Sequence, residues 1–71
     1  MSRYLIVLEK TDTGFSAYSP DLPGCIATGG SQADVEKEMH EAVAFHIEGL
    51  RLAGEQVPTP SAQASYCDVA A

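Results

Sequence analysis

One stretch, Arg3 to Lys10, sets the hardest condition on the fold. It reads R-Y-L-I-V-L-E-K and carries charge only at its ends. In an extended chain successive side chains point to opposite faces, so Tyr4, Ile6 and Leu8 share one face and Leu5 and Val7 the other. Both faces are apolar, the pattern of a strand inside a sheet and covered on two sides. The chain has 71 residues, enough for one domain spanning 1–71. A domain of this size buries only roughly 60% of the surface its unfolded form exposes. A single helix covers one face of a small sheet. The other face calls for a second cover, most simply another protomer.

The rest of the chain divides at its turn residues. Thr11-Asp12-Thr13-Gly14 reads as a hairpin loop, with Gly14 able to take a positive φ. Phe15 to Ser19 is a second strand, its aromatics Phe15 and Tyr18 on opposite faces. Pro20-Asp21-Leu22-Pro23-Gly24 breaks the ladder, because two prolines remove two donors and fix a rigid corner. Cys25 to Thr28 resumes as a short third strand, closed by Gly29-Gly30.

Ser31 is placed to cap a helix, and Asp34 three residues on makes a variant of the capping box. Asp34 and Glu36 suit the positive end of the helix dipole. Val35, Met39, Ala42, Val43, His46, Ile47 and Leu50 form an apolar stripe at helical spacing. Phe45 and Leu52 fall off that stripe, seven residues apart, and make a second contact line. Gly54 is a natural terminator. Pro58 and Pro60 hold Val57 to Ser61 extended, and Ala64 to Val69 reads as a weaker last strand.

These elements predict an α+β domain of order β-β-β-α-β. Three strands form a meander, and the helix returns the chain so that the last strand runs parallel to the first. The connection rules give a mixed four-stranded sheet of order 3-2-1-4, one helix on one face, and the doubly apolar strand inside. Cys25 and Cys67 then have two strands between them, which makes an intrachain disulfide unfavourable. Each is expected to be a small buried hydrophobe.

Ten Asp and Glu against four Lys and Arg leave a formal net charge of −6. Phosphate backbones attract basic surfaces, so this chain alone is a poor nucleic-acid binder, and an acidic surface steers a basic protein partner instead. No run approaches the ~20 apolar residues of a membrane span, and the start lacks the form of a signal peptide, which predicts a cytoplasmic protein with reduced thiols.

Residues able to do chemistry do not assemble into a motif. His40 and His46 are six apart and do not share a helix face as an i, i+4 metal pair would. Glu36, Glu38, Glu41 and Glu48 decorate the helix as a solvated face. A metal-dependent nuclease would need paired carboxylates, for which Glu9 and Asp68 are the weak candidates. Gly29-Gly30-Ser31 at a helix start can hold phosphate, but no lysine follows. No catalytic residue, metal ligand or cofactor is therefore assigned. Phe45, Leu52, Tyr4 and Ile6 are the candidate protein interface.

The run Pro20-Asp21-Leu22-Pro23-Gly24-Cys25 resembles the signature of the HicB-like antitoxins. Gly14-Phe15-Ser16-Ala17 before it, Gly29-Gly30-Ser31 after it, Leu52-Ala53-Gly54 and Val57-Pro58-Thr59-Pro60-Ser61 fall in that family's order, so the similarity covers about residues 3 to 69. The resemblance implies a pared-down ribonuclease H-like fold without catalytic carboxylates. It implies a non-catalytic antitoxin that binds and occludes a HicA-like toxin, a small basic ribonuclease that cuts messenger RNA, and that forms homodimers or larger homo-oligomers. Many members add a C-terminal DNA-binding domain; the expectation here is the short form without it. The alternatives are a stand-alone dimeric interaction module with no toxin partner, and a divergent metal-dependent nuclease.

Overall fold

The computed structural model describes residues 2–71. Three antiparallel strands, β1 (Val7–Lys10), β2 (Phe15–Tyr18) and β3 (Ile26–Gly29), form one sheet of order β1-β2-β3, and a single long helix, α1 (Gln32–Leu52), follows. The α+β class and the meander-then-helix order are as the sequence predicts. Pairing of Leu8 with Ala17 and Ala17 with Ala27 sets the register and gathers the small and apolar residues on one face. The helix packs on that face, over β3 and β2. Ala17, Leu22, Cys25, Val35 and Met39 are the buried core, flanked by Tyr4, Ile6, Leu8, Phe15, Ala27, Ala42, Val43 and Ile47. The helix stripe read from spacing is thus the packed one, although His46 and Leu50 at its margin stay half-buried.

Both helix ends are built as their residues require. The Ser31 side chain accepts from the Asp34 amide at 3.1 Å, satisfying a donor that has no partner inside the helix. At the other end Gly54 takes φ 72°. The Glu55 amide donates to Leu50 O at 2.9 Å and the Gly54 amide to Arg51 O at 3.1 Å, the paired bonds of a Schellman motif.

Gly14 serves a different purpose from the one its turn position suggests. Only Gly24 and Gly54 have positive φ among the described residues. A Cβ on Gly14 would instead collide with Gly29 O and come within 2.9 Å of the Gly30 Cα. The hairpin tip presses against the corner where β3 passes into α1, and only a residue without a side chain fits.

The expected fourth strand does not form, so the sheet is not the four-stranded 3-2-1-4 arrangement and the ribonuclease H-like plan that needs it is not observed. β1 lies at an edge of the sheet and not inside it. The reason lies in the segment that leads into it. Pro58 and Pro60 have no amide to donate, and the amides of Ser61 and Ala62 are taken by the Asp21 carboxylate, each at 3.0 Å. The start of any ladder is thereby consumed by the turn, and no backbone–backbone bond joins the segment after Glu55 to the rest of the described chain. β1 is also short, because β2 ends at Tyr18 opposite Val7. Beyond that point Ser19 turns away and its hydroxyl donates to Leu5 O at 3.0 Å.

Candidate protein interface

The Pro20–Cys25 turn is a structural clasp. The Leu22 amide donates to Ser19 O at 3.1 Å and the Cys25 amide to Leu22 O at 3.0 Å, while the Ser19 amide reaches Cys25 O at 3.3 Å. Gly24, at φ 84°, makes the reversal possible. These bonds turn Leu22 inward, where it is 0% exposed and among the largest fully buried side chains. Pro20, Pro23 and Gly24 stay on the surface. By sequence Leu22 reads as turn material; the signal of its burial is that it is the one large aliphatic side chain among Pro20, Asp21, Pro23 and Gly24.

Asp21 does not bond neighbouring amides, as an Asp in a tight turn commonly does. Its carboxylate accepts from the Ser61 and Ala62 amides and from the Ser61 hydroxyl, all at 3.0 Å. The two amides hold its pKa below the ordinary carboxylate value, Ala62 contributing most. Tyr4 adds a second tie, its hydroxyl donating to Pro58 O at 2.7 Å. Turn and N-terminal segment therefore seize the chain as it returns from the helix.

Cys25 is buried in the core, and that burial pushes its thiol pKa up. Cys67 is exposed, against the expectation that both cysteines are packed, because the segment that carries it has no sheet to join.

The four candidate interface residues separate into two places. Phe45 and Leu52 are 80% and 82% exposed and lie on the outer side of α1. At about 100° per residue, Phe45 stands roughly 200° around the helix from Val43 of the packed side. Glu38, Glu41 and Glu48 are exposed on the same outer stripe, at i−7, i−4 and i+3 from Phe45. Two apolar anchors thus sit in a row of carboxylates. Tyr4 and Ile6 pack on the core instead and line an open cleft of about 590 Å³ between the N-terminal segment and α1. Its apolar floor is Ile6, Met39, Val43 and Ile47, and Arg3 and Arg51 stand at its rim.

A third surface lies apart from these four residues. Register places Val7, Tyr18 and Ile26 side by side across the three strands, on the face opposite the helix. Tyr18 is 41% and Ile26 69% exposed. The sheet does have two apolar faces, as the composition of Arg3–Lys10 required, and one of them is bare in the single chain.

Among the described residues, no three of His, Cys, Asp or Glu come together as a metal ion would require. Among the same residues, no helix is long and apolar enough to cross a membrane.

The family model for a HicB-like antitoxin of bacterial toxin–antitoxin systems matches residues 4–70. An "uncharacterized 14.9 kDa protein in rep-hol intergenic region" of Haemophilus phage HP1 (strain HP1c1) is 36% identical over 55 residues, which is 78% of this chain and 41% of the phage protein. The chain therefore spans about two-fifths of that relative's length. Among solved structures, a chain of a HicA3 and HicB3 toxin–antitoxin complex is similar at a TM-score of 0.73 and 42% identity, over 84% of this chain and 70% of that one.

Proposed function

This chain belongs to the HicB-like antitoxins, and on that premise we propose that it binds and occludes a small basic HicA-like toxin without catalysing a reaction itself. The observation that supports this most is the outer stripe of α1. Phe45 and Leu52 are exposed anchors flanked by Glu38, Glu41 and Glu48. Apolar residues in a charged surround suit a docking centre, and carboxylates around them steer a cationic partner and reject an acidic one. The net charge of −6 acts in the same direction over a longer range. Similarity to a chain from a HicA3–HicB3 complex supports a toxin as the partner.

Occlusion of the toxin by a standard interface would bury on the order of 1,600 Å² in total. A basic reading frame beside this gene, co-expressed with a tagged form of the chain, is the test. Co-purification, suppression of RNA cleavage and rescue of growth are the expected results. A complex that forms yet leaves cleavage intact removes occlusion; no complex at all removes the toxin as partner.

A second reading, a homo-oligomeric interaction module, is favoured by the bare Val7–Tyr18–Ile26 row. One small domain leaves that face uncovered, and a second copy is the simplest cover. The two readings are compatible, because the row and the α1 stripe lie on different sides of the molecule.

A further inference from the structure

We propose that the basic toxin lays an extended segment as an added strand along the outer edge of β3, beside the flank of α1 that carries Phe45 and the carboxylates. The inference rests on the toxin reading and deepens it, naming where and how that partner docks.

β3 is an end strand: among the described residues it pairs only with β2. One bond fixes which way its backbone groups point. The Ser19 amide donates to Cys25 O at 3.3 Å, and in an antiparallel ladder bonded pairs alternate with non-bonded ones. Ala17–Ala27 and Phe15–Gly29 are therefore the next bonded pairs. Ile26 and Thr28, between them, turn their amides and carbonyls away from β2. Both residues are exposed, Ile26 at 69%. No charge, proline or bulge lies within β3, so the strand itself does nothing to reject another. The β1 edge differs, because residues 62–64 of the same chain lie against residues 3–6 there.

Helix geometry puts the acidic stripe beside this edge. α1 lies over β3 and β2. At about 100° per residue, Asp34, Glu38, Glu41, Phe45, Glu48 and Leu52 fall within roughly 40° of one line, and all six are exposed. The packed residues Val35, Met39, Ala42, Val43 and Ile47 centre about 140° to one side of that line. His40, Ala44 and Arg51 line the cleft against the N-terminal segment and lie further round in the same sense, at about 240–280°. The cleft marks the β1 flank of α1, so the stripe is on the other flank, next to β3. The contact at Gly29 agrees: a Cβ there would stand 3.2 Å from the Asp34 Cβ. From Asp34 to Glu41 the helix rises about 10 Å, the same ~10 Å that four strand residues span.

Charge selects the occupant. Of the four basic residues, Arg3 and Arg51 stand at the cleft, Lys10 ends β1, and Lys37 alone borders the stripe. The β3 flank is therefore negative, complementary to a cationic partner. An added strand would point alternate side chains toward Glu38 and Glu41, and the others along the Val7–Tyr18–Ile26 row. A segment that alternates basic and apolar residues fits, with backbone bonds supplying affinity and the two rows supplying selection.

Hydrogen exchange on the full chain, free and mixed with the product of the basic reading frame beside its gene, is the test. The Ile26 and Thr28 amides should exchange fast in the free chain and slow by about tenfold or more in the complex. Ala27 and Gly29, bonded to β2, should be protected in both. Thr28→Pro removes an outward donor and no bond to β2. It should weaken toxin binding roughly tenfold with Ala27 still protected, whereas Thr28→Val, which keeps the amide, should bind like the parent. A complex in which Ile26 and Thr28 stay fast overturns docking at β3 and leaves the toxin reading standing; no complex overturns both. A folded Thr28→Pro chain that binds as tightly as the parent also overturns it. If that variant loses the Ala27 protection, the exchange comparison on the unaltered chain decides.

Discussion

Asp21 and Ser61 lie 40 positions apart and are joined twice, the Ser61 amide donating to one carboxylate oxygen and its hydroxyl to the other, each at 3.0 Å. With the Ala62 amide completing the set, a residue of the turn governs where the chain goes after the helix. Because the folded carboxyl is held below its ordinary value of 3.8, its contribution is fully present above that pH. It is lost as pH falls through the lowered folded value. Acid titration followed by amide exchange should therefore release Ser61 and Ala62 at a pH below 3.8. Asp21→Asn should show the same fast exchange at neutral pH, with α1 still protected. Retention of slow exchange in that variant would remove the clasp.

Leu22→Ala should be far more damaging than its position in a turn suggests. The side chain is wholly buried, and a Leu-to-Ala cavity in a core costs roughly 2–5 kcal/mol. For a domain of this size that lowers the Tm by about 8 °C or more. Pro23→Ala on the exposed side of the same turn is the control, expected within about 1 kcal/mol of the parent. Urea denaturation of the two variants separates the readings.

Two glycine-to-alanine changes should move stability in opposite directions. Gly49 sits in α1 with nothing within 4 Å of a new Cβ, so Gly49→Ala should stabilise by roughly 0.5–1 kcal/mol through helix propensity. Gly14→Ala forces a methyl into the Gly29–Gly30 backbone and should destabilise by about 1–3 kcal/mol. Thermal melts of both variants check the pair.

Phe45→Ala and Leu52→Ala should leave the fold within about 0.5 kcal/mol, because both side chains face solvent. If the α1 stripe is the docking centre, each should weaken toxin binding by about 2 kcal/mol or more. Glu41→Lys should act chiefly on the association rate and its salt dependence. Titration calorimetry and stopped-flow binding separate the two effects.

The two thiols should differ sharply. Cys67 is exposed and Cys25 is 4% exposed with a raised pKa. An aromatic disulfide reagent should titrate one thiol quickly in the native protein and the second only on unfolding.

What could be read from residues alone follows the range over which each signal acts. The capped helix, its packed stripe and the three-strand meander depend on spacing and on caps within a few positions, and all are present as predicted. The division of Tyr4, Ile6 and Leu8 from Leu5 and Val7 is also present, since it needs only alternation. The fourth strand failed because its fate turns on a contact between Asp21 and Ser61 that no local pattern announces. Leu22 was missed for the same kind of reason, its burial being set by three backbone bonds across the turn. Among the interface candidates, Phe45 and Leu52 were legible as residues off the stripe. Tyr4 and Ile6 share a cleft with Arg3 and Arg51 that depends on how the N-terminal segment lies against α1.

Tyr4 to Pro58 and Asp21 to Ser61 close long loops, of 54 and 40 positions. Such closures come late, after the local hairpin and helix have formed. During synthesis the first residues emerge well before their fasteners, so Tyr4 and Asp21 wait without these partners while residues 58–62 are still being made. A nascent chain of this kind would be most prone to illicit strand pairing in that interval, and two copies translated close together from one message would be the nearest strands on hand.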